Sequence, residues 1–472
     1  MTMASADLAD SVDPEREPLL DAVLGDRDLS PSPPRRHNEA EVRSWTSDPD
    51  KSPASSLEHQ RSTPLLFRIA AAMFSFIVLG MMVSTLGVMV PQFEEYYNLS
   101  DFHVSFVFLV WPVGYLGAAY LNGVIHVRFG QCGIAIVGPL FHIIFATTAV
   151  LHPPFPVLLV ALAVGSLGTG ILDGSFCAWA GGMENANIVQ GFLHGSYSTG
   201  AAIGPFLAGI MLSVGHTPWY AWYYVLLGAS ILEAAALLLA FRFEDSKAYH
   251  SGHQQAPLLE MQEGASTDSK GAIFRHYATW ICAAYFLACI GTENAVSGWI
   301  VVFMTRVNHA SAYLASLSSS GFWIGQATGR VALGIVTEKL GVRTATIMYL
   351  IAALAFEVLF ATIHVPEFST VAIALLGFCL GPLFPSGVFT LTRLLPRELH
   401  VGAISFVVLI GQVGGALLPF GLGALAETLG IQVFQVVVFA QLVATLLIWL
   451  AFPRLPQPDT SRGAAAEEAD TQ

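Results

Sequence analysis

The sequence predicts an all-α membrane protein with twelve transmembrane helices arranged as two pseudo-symmetric six-helix bundles, and three observations carry that expectation. The composition is 54% hydrophobic and only 12% charged, with a mean hydropathy of +0.60, too apolar for a water-soluble chain of 472 residues. From Leu65 onward the apolar residues gather into runs of about 20, the length that crosses a hydrocarbon core. The two halves also repeat each other. Gly200-x4-Pro205-Phe206-x2-Gly209 recurs as Gly414-x4-Pro419-Phe420-x2-Gly423, and Gly123-x4-Arg128-x-Gly130 recurs as Gly334-x3-Glu338-Lys339-x-Gly341-x-Arg343. Such a repeat implies two bundles around a pseudo-two-fold axis, with a site at their interface that opens to alternate sides by rocking.

Taken in order, residues 1–65 read as a disordered cytoplasmic tail, with thirteen Asp/Glu against seven Lys/Arg, many Ser and Pro and no apolar stripe. A cleavable signal peptide is not expected, because the first long apolar run starts only near Leu65. The tail contains Glu15-Arg-Glu-Pro-Leu19-Leu20, which resembles an acidic dileucine sorting signal; matches this short also arise by chance. The first bundle, 66–242, holds spans near 67–90, 102–122, 133–151, 156–180, 188–213 and 220–241. A polar linker, 243–276, contains Glu244-Asp245-Ser246-Lys247. The second bundle, 277–453, holds spans near 277–303, 311–333, 344–363, 369–392, 399–424 and 431–452, and 454–472 forms a second cytoplasmic tail.

Orientation follows from the cations. With the N-terminus inside, nineteen of the twenty-one Lys/Arg fall in cytoplasmic segments; Arg330 ends span 8 on that side and Arg306 alone falls outside. Both termini are therefore expected in the cytoplasm, in a plasma membrane or a vacuolar or lysosomal type of membrane. Asn98-Leu-Ser100 is a sequon on the expected outer side, in a loop too short for efficient glycosylation. The five cysteines suggest neither a disulfide framework nor zinc-type spacing, and they read as small buried hydrophobes. No metal or cofactor is expected. The net charge of −13 argues against a nucleic-acid partner and leaves the lipid bilayer and a small-molecule substrate as partners.

The most unusual stretch runs from Gly165 to Gly209. It surrounds Asp173 with glycines inside an apolar run, and spans 2 to 5 offer no Lys or Arg to pair with it. A carboxylate inside a membrane costs several kcal/mol and marks a cavity or a proton relay more often than lipid contact. The alternative is a protonated residue locking two helices together. Glu293 and Ser297, at i and i+4, share one face of span 7, with Trp299 beside them as either a sugar-stacking ring or an interfacial anchor. His194 and Tyr197 give span 5 a polar face next to Gly200, Gly204, Pro205 and Gly209, a seam read as the close-packed pivot of the bundles. Gly334, Gly414 and Pro419 take the same packing role in the second half. Glu233 and Glu357 are expected to hydrogen-bond between peripheral helices. Gly168-x-Gly170 is no phosphate loop, since no strand precedes it.

These loop and Gly-x4-Pro motifs resemble the signatures of the major facilitator superfamily over about residues 65–453. Three shorter pieces are similar to its fucose-permease-like branch: Gly168-x-Gly170-x2-Asp173, Gly291-x-Glu293 with Trp299, and Gly321-Phe-Trp323-x-Gly325-x3-Gly329-Arg330. The resemblance implies transport by alternating access, often of sugars and often coupled to protons. Val127 replaces the acid that the family places in the first loop motif, and span 1 lacks the carboxylate of the proton-coupled fucose permeases. In the second half Glu338 keeps the acidic position, so a Glu338–Arg393 ion pair is expected. The leading reading is a secondary active transporter, not an enzyme, for a small polar organic solute, with a sugar as first guess and protons or another ion as coupling partner. A non-transporting solute sensor on the same fold is the alternative. An intramembrane aspartyl protease is remote, because Asp173 lacks a second facing acid.

Overall fold

The computed structural model describes residues 63–183, 186–246, 273–396 and 399–453. The dileucine motif, most of the linker and the C-terminal tail lie outside the described residues. Among those residues the elements are α1 (Leu65–Ser84), α2 (Leu86–Tyr97), α3 (Asp101–Val104), α4 (Phe106–Val150), α5 (Phe155–Gly181), α6 (Ala186–Ser213), α7 (Ala221–Phe241), a 3-10 turn (Ile273–Arg275), α8 (Tyr277–Arg306), α9 (Ala312–Leu340), α10 (Val342–Thr362), α11 (Pro366–Leu380), α12 (Leu383–Leu394), α13 (His400–Leu429) and α14 (Val433–Ala451).

Nine helical stretches among the described residues are long and apolar enough to cross a membrane, three fewer than the runs read from the sequence. The difference has two causes. Expected spans 2 and 3 fall in one stretch, Asp101–Val150. The regular helix α4 within it would be about 68 Å long if straight, over twice the hydrocarbon thickness. Gly130 breaks it, at φ 66° and ψ −162°. The packing on α5 shows the consequence. Before the break, Gly114 lies against Ser166 and Leu167, and Ala118 against Gly170, so the numbering rises together. After it, Gly138 meets Leu172 while Phe145 meets Gly165, so the numbering runs in opposite directions. The chain has turned back at Gly130. The second cause is polarity: α6 and α9 are long enough, but Ser196, Ser198 and Thr199 in α6, and Ser316, Ser318 to Ser320, Gln326 and Arg330 in α9, dilute their hydropathy. These two helices pack on one another.

The glycine seam is placed differently from the expected pivot. A Cβ at Gly200 would overlap the carbonyl oxygen of Ile77, and one at Gly204 would crowd Met81 and Ser84, so both glycines let α6 approach α1 within the first half. Gly414 does the same for α13, lying on the carbonyl of Leu287 in α8. Only the far ends of the two motifs cross between halves. Gly209 meets Ser316, and Gly423 meets Ser105 and the carbonyl of Asp101. Pro205 and Pro419 stay inside unbroken helices, and the Pro419 carbonyl accepts the indole N–H of Trp299 at 2.8 Å. Gly334 has open space around it and packs against nothing.

Buried polar groups knit the first half. Glu233 on α7 accepts a hydrogen bond from Ser75 on α1 at 2.6 Å and pairs with His142 on α4 at 2.9 Å. The other nitrogen of His142 lies 3.1 Å from the Thr169 hydroxyl on α5, so one fully buried network joins four helices. Glu357 departs from its expected role, since it is buried and neither carboxylate oxygen has a hydrogen-bond partner among the described residues. The five cysteines form no disulfide.

Candidate functional site

Polar side chains from α4, α5, α6, α8 and α9 meet where the two halves of the chain face each other. Asp173 is not isolated, contrary to the sequence reading. Cys177, one turn on along α5, donates its thiol to Asp173 Oδ1 at 3.5 Å, and its sulfur lies 3.9 Å from His194 Nε2 on α6. His194 and Tyr115 on α4 both stand within electrostatic reach of the carboxylate. A search for Lys or Arg in the same spans passes over a histidine and a tyrosine, which are the partners the fold supplies.

Glu293 on α8 is the counterpart from the second half. Gln326 and Arg330 on α9 lie beside it, and Tyr197 on α6 is close enough to feel its charge. Arg330 corrects the sequence reading most. Rather than ending a span among cytoplasmic cations, it reaches across the interface. Its Nη1 donates to the Ser198 hydroxyl on α6 at 2.9 Å, and its Nε donates to the Gly381 carbonyl between α11 and α12 at 3.4 Å. Trp323, Gln326 and Arg330 are spaced three and four apart, so they form one stripe of α9. At the head of that stripe the Trp323 indole donates to Ser297 at 3.1 Å and meets Tyr197 edge to face, with ring centroids 6.3 Å apart.

Trp299 does not line this space. It is fully buried, bonded to the Pro419 carbonyl and tilted against Phe108 at 5.9 Å, which makes it packing between α8, α13 and α4. Ser297 instead borders a pocket whose polar lining comes from Asn294, Gln412 and Trp111. The sequence reading missed these three. Asn294 follows Glu293 in span 7, and Gln412 stands two residues before Gly414, so a search for amides beside the acidic residue and the repeated glycine finds both. The expected Glu338–Arg393 pair is not among the ion pairs of the described residues; Arg393 lies over the Phe389 ring, 5.1 Å from its centroid. Among the described residues no group of His, Cys, Asp and Glu could hold a metal ion.

At the end of the interface where α2 and α8 finish, Arg306 on α8 bonds Glu94 on α2 and donates to Asp101 on α3 at 2.7 Å. Glu427 at the end of α13 accepts the Phe102 backbone N–H at 3.2 Å. Phe420 packs on Phe102 and Phe106 at 5.7 and 5.4 Å. We call this the far end, and the opposite one, where α1 begins and α14 finishes, the tail end.

A bundle of long apolar helices with charged groups gathered at an internal interface defines a polytopic membrane protein with a polar central site. The model of the Major Facilitator Superfamily matches residues 72–306 and again 281–471, and the chain belongs to that family. It is 26% identical over 423 residues to Bypass of stop codon protein 6 of Saccharomyces cerevisiae, covering 84% of each chain. It is 22% identical to Membrane protein MosC of Rhizobium meliloti, covering 83% of this chain and 92% of that one. Its fold is similar to the crystal structure of a D-xylose-proton symporter, with a TM-score of 0.66 at 13% identity, covering 83% of this chain and 99% of the other.

Proposed function

We propose that the protein is a secondary active transporter that moves a small polar organic solute by alternating access, coupled to protons through Asp173. The observation that carries the reading is the meeting of Asp173 and His194 from the first half with Glu293 and Arg330 from the second. Ionisable groups inside a membrane line substrate and ion pathways. Groups contributed by both halves can be uncovered to either side as the halves rock. The membrane-spanning unit is read as twelve spans in two six-helix bundles: nine apolar stretches, one of them folded back at Gly130, plus the polar helices α6 and α9. Both termini lie in the cytoplasm, which makes the far end the outer one.

A sugar is the first solute to test. Asn294, Gln412 and Ser297 offer neutral hydrogen-bonding groups beside Trp111, a combination suited to hydroxyls and a ring face, and the similar solved structure is described as a D-xylose-proton symporter. The test is uptake of radiolabelled D-xylose and related solutes into vesicles containing the purified full chain, with and without an inward proton gradient. Gradient-driven accumulation supports the proposal. Saturable binding without flux would favour a sensor instead. Topology is checked separately: a cysteine at Asn98 should react with an impermeant reagent from outside, and one in the 243–275 linker should not.

A further inference from the structure

We propose that Arg330 is an oxoanion site, so that the solute taken by this cavity carries a carboxylate or phosphate group; the inference deepens the transport reading and rests on it. Arg330 is the one described Lys or Arg drawn into the central polar cluster, and both of its hydrogen bonds go to neutral oxygens, the Ser198 hydroxyl and the Gly381 carbonyl. Among the described residues no carboxylate lies within ion-pairing distance of it, and Nη2 makes no hydrogen bond. A guanidinium inside a membrane with no counter-charge in contact is costly, and it is retained where something else supplies that charge.

The geometry suits a solute in that role. Ser198 and Gly381 hold the guanidinium at Nη1 and Nε, on α6 and on the break between α11 and α12, and leave the Nη1–Nη2 edge with unused donors. That edge presents the planar fork of donors that matches an oxoanion bidentately. Glu293 is near enough to act on Arg330 electrostatically but is not bonded to it. Ionised, Glu293 repels an incoming oxoanion; carrying a proton, it leaves Arg330 and the solute to neutralise one another. The same α9 stripe leads from Arg330 past Gln326 to Trp323, which bonds Ser297 at the edge of the neutral pocket. A sugar acid could thus be recognised by its charge at one end of the stripe and by its hydroxyls toward the other.

The test uses the purified full chain and reads ligand-induced shifts of its melting midpoint, titrated with D-glucuronate, L-lactate, glucose 6-phosphate and D-glucose. At least one oxoanion is expected to bind more tightly than D-glucose. Arg330→Gln should weaken that oxoanion by about 30-fold or more, the lower end of the scale for removing one partner of a desolvated charge pair. Glu293→Gln should strengthen it, a change of opposite sign that general loosening of the fold does not produce. If Arg330→Gln does not fold, Arg330→Lys keeps the charge, loses the fork, and should bind the oxoanion about tenfold more weakly. Oxoanion binding unchanged by either Arg330 substitution, or D-glucose binding with no oxoanion binding, overturns the inference. Oxoanion binding at Arg330 without flux into vesicles leaves this site standing and removes the transport reading.

Discussion

The two ends of the interface between the halves are built differently. At the far end, charges are matched and surfaces are shut: Arg306 ties α8 to α2 and α3, three phenylalanines interlock, and Gly209 and Gly423 bring α6 and α13 against Ser316 and Ser105. Toward the tail end the same helix α6 carries Gly191 and Gly195 with nothing within 4 Å of where a Cβ would stand, and His194 between them is exposed. Asp173, Glu293 and Arg330 lie between these extremes. The contrast puts paired and close-packed contacts on one side of the charged cluster and unpacked glycines on the other, an asymmetry that the proposed rocking would use. It also separates two settings of glycine, close helix packing as at Gly200 and Gly414 and open space as at Gly191 and Gly195.

The largest expected effect sharpens that last distinction. Gly200→Val drives a side chain into the Ile77 backbone, which cannot move aside as a flexible side chain does, so well-folded protein should be largely lost on size-exclusion chromatography in detergent. Gly414→Val should do the same against Leu287. Gly191→Ala and Gly195→Ala, in open space, should leave both yield and melting midpoint unchanged. If all four behave alike, the division between packed and open glycines is wrong.

Next in size is Glu233→Ala, which strands His142 and Ser75 in a fully buried network. Breaking one partner of a buried pair costs about 3–5 kcal/mol, so the melting midpoint should fall by several degrees. Glu233→Gln, which can still bond both neighbours, should lose much less. Arg306→Ala should act more gently. Its side chain is 42% exposed, which screens the pairs from one side, whereas Glu94 and Asp101 are only 7% and 13% exposed, so about 1 kcal/mol is at stake. That suffices to move a conformational equilibrium about fivefold. The expected readout is faster labelling, by an impermeant maleimide, of a cysteine placed at Leu86, which lines the interface pocket, against stability that barely changes. A stability loss as large as that of Glu233→Ala would mean that the far-end clamp is scaffold.

Much of this was legible from the chain. Apolar runs marked the helices, because that signal depends on local spacing, whereas the repeated Gly-x4-Pro motif, read as a pivot between bundles, packs mostly within each half. Asp173, Glu293, His194 and Tyr197 stood out since polar groups in apolar runs are rare. What spacing could not supply was direction. Arg330 and the loop cations look alike in sequence, and only packing on α6 and α11 turns one of them inward. Trp299 adjoined a polar face, yet the carbonyl of Pro419, 120 residues away, holds its indole. Spans 2 and 3 were separable by composition, whereas their helix continues until a left-handed glycine turns it. Neighbours distant in sequence decided each of these outcomes.

The claim on which the rest depends is that Asp173 carries the coupling proton, and Asp173→Asn tests it most directly by keeping the shape and hydrogen bonding of the neutral form. In vesicles loaded with a pH-sensitive dye, D-xylose or D-glucuronate added to the unmodified protein should evoke proton entry and accumulate under an inward proton gradient. The substituted protein should still bind and exchange the same solute, with no proton entry and no accumulation above equilibrium. Gradient-driven accumulation that survives Asp173→Asn with its pH dependence intact would contradict the account and pass the coupling role to Glu293 or to another ion.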